Sequence, residues 1–206
     1  MALEGLPGAG KSTLRDRLLA DARTRGIPLG HTGQFSWLSL AATRTLVRLR
    51  AGVPPDDPED AVEAACRDLT LHARFNLGPA LARGPLIADR LSLSTACLLA
   101  LVHRQPVTKY VERLAQQPQA RPQLTVLLTT EPDLCQARLA SRRTAPRFTD
   151  RPDTFARLAD LYPQAAAAWQ HYTGLEVWQR PCTALADIDQ LAADFLARLT
   201  TPMEAS

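Results

Sequence analysis

Residues 5–13 near the start of the chain read GLPGAGKST, a glycine-rich run that ends in lysine, serine and threonine. The run matches the phosphate-binding pattern G-x-x-x-x-G-K-[ST], in which backbone N–H groups curl around a polyphosphate. The pattern predicts that Lys11 reaches the β- and γ-phosphates of a nucleotide and that the Ser12 hydroxyl coordinates Mg²⁺. The residues predicted to bind the nucleotide are Gly5, Gly8, Ala9, Gly10, Lys11, Ser12 and Thr13.

The sequence on either side of this loop fits a strand-to-helix turn. Residues 1–3 are a short apolar run, and residues 12–25 carry leucines that fall on one face of a helix. A strand, a glycine loop and a helix in this order aim a helix N-terminus at an anion. Only Lys11 and Lys109 are lysines among the 24 lysine and arginine residues, so the loop keeps a lysine in an arginine-rich chain. We expect Lys11 to be solvated and to contribute little to folding.

Length and composition indicate a single domain. A chain of 206 residues with 46% hydrophobic content can bury one sizeable core but is short for two full domains. We predict one domain over residues 1–206, with a lid subregion at about residues 138–153. The net charge of +3 is small and the arginines are scattered, which argues against a nucleic-acid partner and favours small anionic ligands.

The cysteines and the hydropathy pattern bear on the compartment. Cys66, Cys97, Cys135 and Cys182 lie far apart without C-x-x-C spacing, which argues against a zinc site and a disulfide framework. No apolar run approaches the roughly 18 residues that cross a bilayer, and the chain starts without a charged leader. We predict a cytoplasmic protein without a membrane partner.

Short apolar runs alternate with helical stretches along the chain. The runs at residues 1–3, 27–31, 85–89, 124–129 and 175–179 are predicted strands, and helices are expected at 12–25, 34–50, 59–83 and 188–199. This alternation predicts an α/β fold with a parallel sheet and right-handed crossovers. Ligands then collect at the carboxyl ends of the strands.

Asp89 and Arg90 follow the third predicted strand. An acidic residue leaving a buried strand beside a phosphate loop can reach Mg²⁺, a metal-bound water or an acceptor hydroxyl, and an adjacent arginine can grip a phosphate with two hydrogen bonds. We therefore predict catalytic roles for both residues, with Asp89 also a metal-site candidate. The simpler alternative is a surface Asp-Arg pair that caps the next helix.

An arginine-rich stretch spans residues 138–151. Pro146 interrupts it, which keeps these arginines off one continuous helix. Phosphoryl transfer depends on cations that neutralise the moving group, and arginines on a closing flap supply such cations once both substrates are bound. The alternative is a solvated basic helix face.

Taken in order along the chain, these motifs resemble those of the thymidylate kinase and deoxynucleoside kinase group. The resemblance rests on residues 4–13, on residues 89–95 (DRLSLST), and on residues 129–133 (TTEPD) followed by two arginines. The resemblance implies the phosphate-loop NTPase fold, an α/β three-layer sandwich in which a five-stranded parallel sheet is flanked by helices. It also implies that ATP is the phosphoryl donor and Mg²⁺ the metal.

The resemblance also assigns roles by position. Lys11, Ser12 and Thr13 serve the donor phosphates and metal, whereas Arg90 serves the phosphate or hydroxyl end of the acceptor and Ser94 lies beside it. Lid arginines are Arg138, which serves ATP, and the catalytic candidates Arg142 and Arg147, with Arg151 as an alternative to Arg147. An arginine of the helix before the third strand contacts the base, for which Arg74 is the candidate and Arg67 the alternative.

The acceptor half departs from the family pattern. Pro7 stands where thymidylate kinases usually have an acidic residue, and residues 31–34 (HTGQ) replace their Arg-Glu-Pro-Gly. No glutamate base of the deoxynucleoside kinase type follows the second strand, and residues 97–99 (CLL) replace a Tyr-Gln pair. Despite these departures, the resemblance predicts that the acceptor is a nucleoside or a nucleoside monophosphate.

Other functions stay open at this point. A kinase of a non-nucleoside hydroxyl and a non-catalytic nucleotide-binding module both fit a phosphate loop, and the sequence does not decide whether the chain forms a homodimer. A regulatory GTPase would need Asn-Lys-x-Asp after a strand, and a motor ATPase would need a strand ending in Asp-Glu. Neither pattern is found at the corresponding places.

Overall fold

Five parallel strands form one sheet at the centre of the structure. The computed structural model describes residues 1–143 and 145–200, so Thr144 of the predicted lid and residues 201–206 of the predicted domain lie outside the described residues. The strands are β1 (Ala2–Gly5), β2 (Gly30–Thr32), β3 (Leu86–Asp89), β4 (Leu124–Leu128) and β5 (Glu176–Arg180). Their order across the sheet is β2-β3-β1-β4-β5. The predicted five-stranded parallel sheet is confirmed.

Helices cover both faces of this sheet. They are α1 (Lys11–Thr24), α2 (Leu40–Arg50), α3 (Pro58–His72), α4 (Gly78–Leu81), α5 (Ser92–His103), α6 (Val107–Ala115), α7 (Pro132–Ala140), α8 (Pro152–Thr173) and α9 (Leu185–Thr200). Helix α1 packs with α9, and α5 packs with α6 and α8. The α/β three-layer sandwich is therefore also confirmed.

The central strands are buried because they are apolar on both faces. Every residue of β1 and β4 is buried, which matches the continuous hydrophobic run of β4. Leu3 lies beside Asp89 of β3 and Val126 of β4, so the phosphate loop leaves the sheet next to the end of β3. All four cysteines are free thiols, and none of the described helices combines the length and apolarity needed to cross a membrane.

Two predicted helices differ from those in the structure. The helix expected from residue 34 starts only at Leu40, where the Ser39 side chain accepts a hydrogen bond from the Ala42 N–H at 3.4 Å. The helix expected over 59–83 contains a π-helical turn, Ala73–Leu77, between α3 and α4. Periodicity missed the later start of α2 because long-range contacts of residues 33–37, described below, override the local pattern.

Glu4 is a buried carboxylate in the central strand. Its Oε1 accepts hydrogen bonds from the backbone N–H groups of Leu91 (2.9 Å) and Leu93 (3.2 Å), and its Oε2 accepts one from that of Ser94 (3.1 Å). The Ser94 hydroxyl also donates to Oε2. Burial raises the pKa of Glu4, while these hydrogen bonds and the nearby Arg90 act in the opposite direction. Glu4 therefore caps the start of α5 and fixes it to β1.

We expect Glu4→Gln to lower the free energy of unfolding by about 1–3 kcal/mol, because an amide NH₂ would face one of the donors that now point at the carboxylate. Urea denaturation monitored by circular dichroism measures this change. Glu112→Gln, at an exposed position on α6, is the matched control and should leave the urea midpoint unchanged. Equal midpoints for both variants would contradict the capping role.

Candidate active site

One large cavity of about 1130 Å³ lies at the carboxyl end of the sheet. Its walls come from the phosphate loop, the segment after β2, the end of β3, the lid, α8 and the loop between β5 and α9. It brings together most of the predicted site residues: Gly8, Gly10, Lys11, Ser12, Thr13, Asp89, Arg90, Ser94, Arg138, Arg142 and Arg147. The position agrees with the rule that ligands bind at strand carboxyl ends.

The phosphate loop takes its shape from its glycines. Gly5 has φ +131°, and a Cβ there would lie 2.7 Å from the carbonyl oxygen of Leu128. Gly8 has φ +83° and packs against the backbone of Cys135, which also leaves no room for a side chain. Gly10 is the N-cap of α1, so the first N–H groups of that helix face the cavity. Gly5 and Ala9 shape the loop without lining the cavity.

Lys11 is buried, which corrects the expectation of a solvated side chain. Its Nζ donates to the carbonyl oxygens of Gly5 (3.0 Å) and Leu6 (2.6 Å). Burial lowers the pKa of the Lys11 ammonium well below its usual value. The group is therefore held at the loop in a setting where a bound phosphate would favour its charged form.

Ser12 and Thr13 are exposed at the cavity, and neither hydroxyl has a protein partner within the described residues. No group of three or more His, Cys, Asp or Glu side chains among those residues could form a metal cage. This donor set fits Mg²⁺, which is held by one or two protein oxygens together with substrate phosphates and water.

Asp89 forms an ion pair with Arg15 of α1. The Arg15 Nη1 donates to Asp89 Oδ2 at 2.8 Å, and both side chains are about three-quarters buried. Arg15 also contacts the exposed Asp16. Local sequence patterns do not predict the Arg15–Asp89 pair, because the two residues are 74 positions apart.

Arg90 is fixed by three oxygen atoms. Its Nη1 donates to the Gly5 carbonyl oxygen (3.0 Å), the Ser94 hydroxyl (2.8 Å) and the Tyr162 hydroxyl (2.6 Å). Its backbone has φ +71°, an unusual value for a residue with a side chain. Tyr162 also lies 2.9 Å from Ser94 Oγ, and burial raises the pKa of its phenol. Sequence reasoning missed Tyr162, which looks like any other core residue of an amphipathic helix.

The lid arginines divide into one fixed and two free side chains. Arg138 donates to the carbonyl oxygens of Gly8 (3.4 Å), Cys182 (3.0 Å) and Thr183 (2.8 Å), so it joins the phosphate loop to the loop after β5. Arg142 and Arg147 are exposed at the cavity and have no carboxylate partner among the described side chains. Arg151 stacks over Phe148 at 5.8 Å and does not line the cavity, so Arg147 is the better lid candidate.

The structure does not bring Arg74 to the cavity, so the predicted contact of this residue with a base is not supported. Arg74 is exposed on the π-helical turn, with its guanidinium 5.1 Å from the ring centroid of Phe75, and Arg67 is exposed on α3. Arg50, the last residue of α2, lines the cavity instead. Burial, followed by the charges of Arg147 and Arg90, lowers the pKa of Arg50.

Comparisons with known proteins identify relatives of the chain. No protein-family model matches it. It is 30% identical to the thymidylate kinase of Ectopseudomonas mendocina (strain ymp), covering 95% of both chains, and 30% identical to that of Pseudomonas fluorescens (strain SBW25), covering 96% of both. The thymidylate kinase of Xylella fastidiosa (strain M12) is 28% identical over 79% of this chain and 72% of its own. The chain therefore belongs to the thymidylate kinase family of phosphate-loop kinases, which are ATP-dependent nucleotide kinases.

Proposed function

We propose that this kinase transfers the γ-phosphoryl group of ATP to the phosphate of a nucleoside monophosphate. The observation that carries the proposal is the convergence of Arg50, Arg90 and Arg147 on one cavity, where Asp89 is paired with Arg15 and Asp150 accepts a backbone N–H. Such an excess of guanidinium groups is suited to an acceptor that brings negative charge of its own. The thymidylate kinase relatives make dTMP the first acceptor to test.

A phosphate acceptor also removes the need for a general base, because its oxygen is already an anionic nucleophile. One carboxylate oxygen of Asp89, Oδ2, is engaged by Arg15 Nη1 at 2.8 Å, so Asp89 is poorly placed to remove a proton from a hydroxyl. Asp150 is engaged by the backbone N–H of Arg147 at 2.9 Å, and Gln34, which lines the cavity after β2, is a neutral amide. A hydroxyl acceptor would depend on one of these groups to remove its proton.

The donor side has its own set of residues. Lys11 and the N-terminus of α1 would hold the β- and γ-phosphates, and the Ser12 hydroxyl would bind Mg²⁺, which would supply positive charge to neutralise the phosphates. One carboxylate oxygen of Asp89 is paired with Arg15, and the carboxylate would interact with the metal through a water molecule. Arg138 keeps the phosphate loop and the loop after β5 together at the nucleotide.

The same proposal includes lid closure and a cytoplasmic location. Residues 138–153 would close over both substrates and bring Arg142 and Arg147 to the transferring group, within one domain over residues 1–206. The free cysteines fit a reducing cytoplasm. A homodimer stays a prediction that gel filtration can test.

The direct test incubates the protein with ATP, Mg²⁺ and a panel of nucleosides, nucleoside monophosphates and hydroxylated metabolites, with mass spectrometry to detect the gain of one phosphoryl group. We expect products from monophosphates, with dTMP tested first. Lys11→Ala should abolish them, because the phosphate-loop cation is lost. Because Lys11 donates hydrogen bonds to two backbone carbonyl groups, circular dichroism is used to check that the Lys11→Ala variant still folds. A product only from a hydroxyl compound, or ATP hydrolysis independent of any acceptor, would contradict the proposal.

Neutralising Arg142 and Arg147 together, as Arg142→Gln and Arg147→Gln, should lower kcat by about 100-fold or more and change the Kd for ATP little. Both side chains are exposed and free to act on charge that develops in the transition state. Steady-state kinetics and ATP titration measure the two effects, with Arg143→Gln, an exposed neighbour outside the cavity lining, as control. Unchanged kinetics would show that the arginine-rich stretch at residues 138–151 is only a solvated basic face.

Asp89→Asn separates a metal role from a base role. With a phosphate acceptor we expect a loss of less than about tenfold in kcat at saturating Mg²⁺ and a higher Mg²⁺ concentration for half-maximal rate. A general base contributes roughly 100-fold or more, and its loss would also remove the acid limb of the pH–rate profile. That second pattern would point to a hydroxyl acceptor.

A further inference from the structure

Residues 33–37, the irregular segment between β2 and α2, form one wall of the cavity, which we call the acceptor wall. Gly33, Gln34, Phe35 and Trp37 of this wall line the cavity, whereas none of the described residues of α3 or the π-helical turn does so. Gln34 is hydrogen-bonded to Thr95, next to the Ser94 that holds Arg90. The wall therefore lies at the acceptor end and separates α3 from the cavity.

Asp68 of α3 anchors this wall. It is only 1% exposed, and its carboxylate accepts three hydrogen bonds from two adjacent wall residues. The Ser36 hydroxyl (2.6 Å) and the Trp37 N–H (3.1 Å) donate to Oδ1, and the Ser36 N–H donates to Oδ2 (2.8 Å). Trp37 has φ +57°, a conformation that tryptophan rarely adopts, so the backbone of the wall is held against its local preference.

His72, one helical turn after Asp68, anchors the start of the wall. It is fully buried, and its Nε2 lies 2.9 Å from the carbonyl oxygen of Gly33. Because that carbonyl can only accept, Nε2 carries the proton, and Nδ1 accepts from Asn76 Nδ2 at 2.9 Å. Burial lowers the pKa of His72, in keeping with a neutral ring. Two polar side chains of α3 are thus committed to the wall.

The aromatic side chains of the wall form a small stack beside Arg50. The Phe35 and Trp37 rings meet edge to face with centroids 5.1 Å apart. The Arg50 guanidinium lies 5.7 Å from the centroid of the Trp37 ring. These contacts link the conformation of the wall to a cation that faces the acceptor.

The hydrogen bonds around Gln34 fix the orientation of its amide. The Thr95 hydroxyl donates to the Leu91 carbonyl oxygen at 2.7 Å, so Thr95 Oγ1 must accept the bond of 3.1 Å from Gln34 Nε2. The Gln34 carbonyl oxygen is then left without a protein partner among the described residues. This oxygen is suited to accept a hydrogen bond from an N–H group of a ligand.

We propose that the acceptor wall determines which acceptor this kinase uses, that Asp68 and His72 are its positioning residues, and that Gln34 recognises a base N–H through its carbonyl oxygen. The inference rests on the proposed function, in which the acceptor is a nucleoside monophosphate. Recognition by the wall takes the place of the base contact that Arg74 was predicted to make. The arginines then bind the phosphate end, and the wall reads the base end.

Gln34→Leu tests the recognition step, with each acceptor paired with an analogue that lacks the base N–H donor. The pairs are dTMP with N3-methyl-dTMP and dAMP with N6,N6-dimethyl-dAMP. For whichever parent nucleotide is phosphorylated, we expect the wild-type protein to show a KM about tenfold or more higher for the analogue, because Gln34 is left unpaired. Gln34→Leu should discriminate by less than about twofold. A wild-type protein that does not discriminate, or a variant that still does, overturns the proposal.

Asp68→Asn tests the positioning step, because an amide NH₂ would face one of the three donors. We expect the KM for the nucleoside monophosphate to rise about tenfold while the KM for ATP changes by less than about twofold. A purely structural role would lower the active fraction, and so the apparent kcat, without moving either KM. Glu63→Gln, an exposed carboxylate on the same helix, is the control. If Asp68→Asn does not fold, Ser36→Ala removes one of the same bonds.

The two levels of the proposal fail differently. If the wild-type protein phosphorylates no nucleoside monophosphate, the proposed function is wrong. If it does so and neither Asp68→Asn nor Ser36→Ala changes the KM for that acceptor, only the role of the wall is wrong.

Discussion

The buried carboxylate of Glu4 is the constraint on which the site depends. A charge inside the central strand must be satisfied, and all four of its donors come from the start of α5. This requirement fixes Ser94, and Ser94 in turn accepts a hydrogen bond from Arg90. Gly5, the next residue along β1, gives its carbonyl oxygen to both Lys11 and Arg90. Two adjacent residues of one strand therefore help to position Lys11 and Arg90, which both line the cavity.

The site holds more positive charge than its own carboxylates can balance. Asp89 is paired with Arg15, while Arg142 and Arg147 have no acidic partner within the described part of the chain, and Arg50 has its pKa lowered in part by neighbouring arginines. Cations held together in this way repel each other until an anion binds between them. Two bound nucleotides would relieve that repulsion, so the clustered cations favour the binding of phosphate groups. The small net charge of +3 does not show this, because the surplus is local.

The part of the site around the phosphate loop was predictable from the sequence because its residues are adjacent in the chain. The phosphate loop is one continuous motif, and the buried strands are continuous apolar runs, so both the sheet and the positions of Lys11 and Ser12 followed from local patterns. The acceptor half depends on pairs far apart in the chain, such as Arg15 with Asp89 and Asp68 with Ser36. Neither partner of such a pair is distinctive alone. For the same reason Arg50 was missed, and the helix predicted from residue 34 was six residues too long.

Helix α1 connects the two halves mechanically. It begins at Lys11, exposes Ser12 at the cavity, and one turn later carries Arg15, whose guanidinium holds Asp89 at the end of β3. Residues four apart in a helix lie on the same face, so Lys11 and Arg15 project from the same side of α1. In-line phosphoryl transfer requires the donor phosphate and the acceptor to be aligned within a fraction of an ångström, since rate comes from positioning rather than from covalent chemistry. In the proposed function, α1 joins the phosphate loop to the end of β3 through one helix, while closure would fall to the lid and recognition of the base to the acceptor wall.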